Sequence, residues 1–162
     1  MDYDFFAEME TGALAKAPEE TEQAFMERIL REVFARVTPE MAGRINDKLC
    51  PKFAGCSAEE KSLSVSFAVD DWMLNPSGNL HGGILGTAID MTMGVLARYL
   101  KQTKKLVTVQ LSIQYLRGIC NKDHFTIRAI ADHVGRRSVA LRAEIVLDET
   151  NKLAATATSL FM

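Results

Sequence analysis

Leu80-His-Gly-Gly-Ile-Leu-Gly-Thr-Ala-Ile-Asp90-Met-Thr-Met-Gly-Val-Leu-Ala-Arg-Tyr-Leu100 is the stretch whose reading decides the fold. It is nearly all apolar and carries formal charge only at Asp90 and Arg98. It is too long, and too poor in strand punctuation, to be a strand, so its length predicts a helix over residues 81–100. A run of this kind can also be read as a membrane span. A carboxylate and glycines inside it favour a buried central helix instead, and no membrane association is expected.

On either side of this helix the period changes. Upstream, Leu63, Val65, Phe67 and Val69 alternate with Ser62, Ser64, Ser66 and Ala68, a half-buried strand, and an Asn-, Pro-, Ser- and Gly-rich loop follows from Asn75 to Asn79. Downstream, four segments read as strands: Leu106 to Leu116, His124 to Val134, Ser138 to Leu147, and Leu153 to Phe161. Gly135-Arg136-Arg137 and Asp148-Glu149-Thr150-Asn151 are short turns that join the last three as an antiparallel meander. Further upstream, Phe25, Met26, Ile29, Leu30, Val33, Phe34 and Val37 recur every three to four residues from Thr21 on, one face of an amphipathic helix. Thr38-Pro39-Glu40-Met41 looks like a cap with proline in the first turn, opening a second short helix toward Leu49. The fold class is therefore α+β: an antiparallel sheet wrapped around one long central helix, with extra N-terminal helices. Residues 1–50 form a leader and helical extension, of which the first 20 or so read as mobile or loosely docked, and residues 51–162 form the main domain.

The composition fits one domain with its own core: 162 residues, 48% hydrophobic and 25% charged. With 19 basic and 21 acidic residues the net charge is −2, which supplies no global field toward nucleic acid or an anionic membrane. Any anionic ligand must meet a local patch. Cys50, Cys56 and Cys120 are an odd number, and Met1-Asp2-Tyr3-Asp4 lacks the positive start of a secretory signal, so a reduced cytoplasmic setting is expected. Cys50 and Cys56 make at most half a metal site, with His81, His124, His133 and Cys120 scattered, so no resident metal is expected.

Asp90 is the most informative residue, because an ionised carboxylate in a buried apolar helix is costly unless something pairs with it or uses it. A structural network can also hold such a group. Gly83, Gly86, Thr87 and Gly94 lie on or near its face, a stripe of small residues that calls for close approach by a backbone or a ligand. Tight packing of helix on sheet gives the same pattern. His81-Gly82-Gly83 falls at the helix start, where backbone N–H groups lack intrahelical acceptors and point outward with the positive end of the dipole, ready for a carbonyl oxygen gaining charge. Asp90 lies nine residues after His81, ~180° around the helix and ~13 Å along it. If both act in one reaction, His81-Gly82 of one subunit faces Asp90 of another, a site shared in a dimer.

Asn75, Leu80-His81-Gly82-Gly83, Asp90 and Thr108-Val109-Gln110-Leu111-Ser112-Ile113-Gln114-Tyr115-Leu116-Arg117 together resemble the hotdog-fold acyl-CoA thioesterases of the phenylacetate-pathway and 4-hydroxybenzoyl-CoA thioesterase type. The closing meander, with Lys152-Leu153-Ala154-Ala155-Thr156-Ala157, fits as well, and the resemblance runs from about Phe53 to Met162. It implies hydrolysis of an acyl-CoA thioester, edge-to-edge pairing of two subunits, and often tetramers of such dimers. It implies Asp90 as general base or nucleophile and the Gly82 N–H as oxyanion donor. Asn75 and His81 would position the thioester and leaving thiol, and Thr108 would orient the attacking water. Gly83 belongs to the same substrate-binding turn. Coenzyme A would enter as part of the substrate, with no separate cofactor. Its phosphates need a local basic site, for which Arg117, Arg136, Arg137, Lys104 and Lys105 fall at strand ends and turns. Arg136 and Arg137 are the contacts expected. Two other readings of the fold are a hotdog dehydratase or hydratase, and a protein that binds acyl-CoA without turning it over.

Overall fold

The computed structural model of the chain describes Glu8, Thr11 and residues 14–36 and 42–162. In chain order it contains helices α1 (Glu22–Ala35) and α2 (Ile45–Lys48), strands β1 (Lys52–Ser57) and β2 (Ser62–Ala68), and a 3-10 turn over Asp71–Met73. The long helix α3 (Gly82–Lys101) follows, then β3 (Thr108–Tyr115), β4 (His124–Val134), β5 (Val139–Leu147) and β6 (Lys152–Phe161). All neighbouring strands are antiparallel, in one sheet ordered β1-β2-β4-β5-β6-β3. This is the hotdog arrangement.

The order of the strands follows from where α3 lies. Leu85, Ala88, Ile89 and every residue from Met91 to Ala97 are buried, so this helix is covered nearly all round and the sheet has to wrap it. The chain leaves β2, runs through α3, lays β3 at the far edge beside β6, and returns to place β4 beside β2. Inner-face alternation holds through Phe125, Ile127 and Ala129 of β4 and Val139, Leu141, Ala143 and Ile145 of β5, all buried. The two expected turns close the meander. The Gly135 N–H donates to Ser138 O at 2.8 Å, and Asn151 takes a left-handed conformation between β5 and β6.

Helix α1 starts where its cap residue allows: Thr21 Oγ1 accepts from the Ala24 N–H at 3.1 Å. Its buried residues Phe25, Met26, Ile29, Leu30 and Val33 join the same core as α3 and the sheet. Its outer face is fastened by the Arg28 guanidinium, which donates twice to Glu20 at 2.8 Å and holds that carboxyl below the usual carboxylate range. Val37 and the Thr38-Pro39-Glu40-Met41 cap lie outside the described residues, as does most of the leader.

Strand β1 is an addition to the sequence reading. Lys52-Phe-Ala-Gly-Cys-Ser57 lacks the alternation of β2, because an edge strand buries only part of one face, and a bulge between Phe53 and Gly55 breaks its period. Helix α1 covers it instead. Gln23 Nε2 donates to Cys56 O at 3.0 Å, Gln23 Oε1 accepts from the Ala58 N–H at 2.8 Å, and the Arg31 guanidinium lies 4.7 Å over the Phe53 ring. Among the described residues no helix is long and apolar enough to cross a membrane.

Candidate active site

The loop before α3 is folded by Asn75. Its Oδ1 accepts from the Ser77 N–H at 2.9 Å and the Asn79 N–H at 3.2 Å, and its own N–H donates to Asn79 O at 2.7 Å. The chain then passes through Leu80, whose N–H donates to Ile119 O at 2.7 Å, and His81, whose N–H donates to Met73 O at 2.8 Å. His81 is the cap of α3: its backbone is extended and its Nδ1 accepts from the Gly83 N–H at 3.0 Å. A ring nitrogen that accepts cannot carry the proton, so the neutral imidazole keeps its hydrogen on Nε2 as a donor. The Gly82 N–H, first on the helix, has no acceptor among the described residues.

Asp90 is half-buried in the middle of α3, and its Oδ1 accepts from the Thr108 hydroxyl at 2.7 Å. The first residue of β3 thus meets the carboxylate, while the last residue, Tyr115, donates its phenol hydrogen to Gly82 O at 2.8 Å. Between them Ile113 packs on Gly86, where an added Cβ would lie 3.3 Å from Cδ1. Strand β3 therefore runs back along the Gly82, Gly86, Asp90 face, and close packing of strand on helix explains Gly86. Gly94 is covered in the same way by Phe161 and Arg98. Thr87 turns away from this role, donating its hydroxyl to Gly83 O at 2.9 Å within the helix.

Gly82 and Asp90 are eight residues apart, which places them ~12 Å from each other along the axis of α3. One chain brings Thr108 to Asp90 and gathers Asn75, His81, Gly82 and Gly83 at the helix start. It does not bring these two groups together. Arg136 and Arg137 are farther still from the helix start. Their turn is gripped by Lys101, whose Nζ donates to Gly135 O at 2.9 Å and Arg136 O at 3.1 Å, at the opposite end of α3.

A cleft of about 450 Å³ opens beside the helix start, lined by Asn75, Asn79, Gly82, Leu85, Tyr115 and Arg117 among others. Leu85 and Tyr115 line the cleft without a role assigned from sequence. Asn79 sits within the loop that Asn75 folds, and Arg117 was one of several strand-end cations that sequence could not rank; its Nε donates to Leu153 O at 3.2 Å. Tyr115 had a legible signal: it shares the inward phase of Leu111 and Ile113 along β3.

A family model for the thioesterase superfamily matches residues 77–154, from the loop before α3 into β6. No curated protein sequence matches the chain. Among solved structures, it is similar to a hypothetical thioesterase from Streptococcus pneumoniae TIGR4 with coenzyme A: 31% identity over 62% of this chain and 79% of that one, with TM-score 0.59. It is also similar to a Streptococcus mutans UA159 protein bound to acetyl CoA, at 27% identity over 68% and 87% of the two chains and TM-score 0.60. Zebra fish thioesterase superfamily member 2, at 19% identity over 82% and 94% with TM-score 0.69, shares the fold. With nearly a third of its aligned residues identical to those of a solved thioesterase over about four-fifths of that protein's length, the chain belongs to the thioesterase superfamily of the hotdog fold.

Proposed function

We propose that the protein hydrolyses acyl-CoA thioesters to the free acid and CoA, at a site to which Asp90 comes from one subunit and the Gly82 N–H from its partner in a dimer. The observation that carries this reading is the 2.7 Å hydrogen bond from Thr108 to Asp90. It leaves the lone pairs of the hydroxyl free to accept from a water held against the second carboxylate oxygen. The coenzyme A complex of the Streptococcus pneumoniae relative supports the choice of substrate class.

In this mechanism Asp90 takes a proton from the water as the water oxygen bonds to the thioester carbon. The carbonyl oxygen becomes an oxyanion, met by the Gly82 N–H at the positive end of α3. Collapse breaks the C–S bond, and the proton on Asp90 passes to the thiolate, a good leaving group because thiols ionise at about pH 8.5. In the nucleophilic variant the carboxylate itself attacks, and water then opens the resulting anhydride. His81 Nε2–H and the amide nitrogen of Asn75 are donors available to the thioester. For the phosphates, Arg117 stands in the cleft, while Arg136 and Arg137 would meet a substrate that reaches the far end of α3.

Saturated short-chain, long-chain and aromatic acyl-CoAs assayed for free thiol test this reading, since they offer no double bond to hydrate. The wild-type protein is expected to release thiol, and Asp90→Asn to lose about 10²- to 10⁴-fold in kcat with an unchanged melting curve. Near wild-type turnover by folded Asp90→Asn would falsify the mechanism. Tight acyl-CoA binding without thiol release would replace it with the binding-only reading.

A further inference from the structure

We infer that Tyr115 is a positioning residue for the oxyanion donor, acting with His81 to clamp one peptide group at the start of α3. The catalytic consequence rests on the thioesterase reading above; the clamp itself does not.

The Tyr115 phenol donates to Gly82 O at 2.8 Å, and the Gly83 N–H donates to His81 Nδ1 at 3.0 Å. Gly82 C=O and Gly83 N–H are the two ends of one planar peptide group. One side chain from the helix cap and one from β3 therefore hold the same plane from both ends. This is where restraint is most needed, because two consecutive glycines in a first turn, without intrahelical acceptors for their N–H groups, have the widest choice of conformations.

The neighbouring plane, His81–Gly82, carries the proposed donor. Its carbonyl end accepts from the N–H groups of Ile84 at 2.9 Å and Leu85 at 3.0 Å, while its N–H end has no acceptor among the described residues. With the His81–Gly82 plane held at its carbonyl and the Gly82–Gly83 plane held at both ends, φ and ψ at Gly82 are both set, which fixes the two planes relative to each other. The tyrosine ring completes the fit. A Cβ on Gly82 would lie 3.3 Å from Tyr115 Cζ, so the ring occupies the space above the Gly82 Cα. A single strand then serves both halves of the proposed chemistry, with Thr108 on the carboxylate at one end and Tyr115 on the donor turn at the other.

Tyr115→Phe keeps the ring and removes the hydrogen bond. Amide exchange at Gly83, followed by NMR, is expected to speed up about 3- to 10-fold, with kcat for acyl-CoA hydrolysis falling by a similar factor, KM unchanged and the melting temperature held. A variant with wild-type kcat and wild-type Gly83 exchange would reduce Tyr115 to a cover on the cleft and overturn the proposal. A rise in KM at constant kcat would also overturn it, since that marks a substrate contact. If the wild-type protein releases no thiol, the thioesterase reading fails separately, and Gly83 exchange alone decides the clamp: faster exchange upholds it and unchanged exchange refutes it.

Discussion

Replacing Gly82 by proline would remove the proposed oxyanion donor and little else. Gly82 is the first residue of α3, the helical position that tolerates proline best. The residue before a proline must be extended, and His81 already is, with φ −63° and ψ 129°. No protein hydrogen bond is lost, because the Gly82 N–H has no acceptor among the described residues. The steric cost is the contact of the new Cβ with Tyr115 Cζ at 3.3 Å, relieved by a shift of a ring that is half exposed. Gly82→Ala meets that same contact while keeping the N–H, so the ratio of kcat between the two variants isolates the donor. Loss of one oxyanion donor costs about 10²- to 10³-fold, or ~3–4 kcal/mol of transition-state stabilisation. Continuous detection of released thiol is the assay, with circular dichroism to show that both variants are folded. Values of kcat within about threefold of each other, a difference of ~0.7 kcal/mol, would refute the assignment of the Gly82 N–H.

Thr108→Val should lower kcat about 10- to 100-fold through loss of a hydrogen bond to a charged group, and Thr108→Ser should restore most of it; equal rates for Val and Ser would remove Thr108 from the mechanism. Ile29→Ala, at a fully buried position of α1, should cost about 2–5 kcal/mol in urea unfolding, and a loss below ~1 kcal/mol would mean that α1 does not pack as described. Burial, with Glu27 nearby, pushes the Cys56 thiol up, so its reactive thiolate forms only at higher pH. Iodoacetamide should label the exposed Cys50 and Cys120 first at mildly alkaline pH and Cys56 last, and early labelling of Cys56 would contradict its placement under α1.

The central helix, β2 and the three-strand meander were legible because their burial is regular: an all-round apolar helix and strands with one wet face leave clear periods in the sequence. The edge strand β1 was not, although β3 at the opposite edge was. Strand β1 buries too little to alternate, and its bulge disrupts what period remains. At the site, Asp90 stood out through the cost of a carboxylate in an apolar helix, but its pairing with Thr108 came only from family resemblance, since 18 residues of sequence separate them. Tyr115 was invisible as a clamp because its partner is a backbone carbonyl, and main-chain atoms leave no mark on composition. The small-residue stripe was ambiguous for a physical reason. Gly82, Gly86 and Gly94 all admit packed side chains, and Gly82 differs in its N–H, which has no acceptor among the described residues.

A site assembled from two subunits is tested most directly by complementation between Asp90→Asn and Gly82→Pro. Each homodimer lacks one half of both its sites and should be inactive. In the heterodimer, purified with two different tags, one site carries both lesions and the other carries neither, so about half the wild-type rate per dimer is expected. A heterodimer as inactive as its two parents would contradict a shared site and place Asp90 and Gly82 in separate roles.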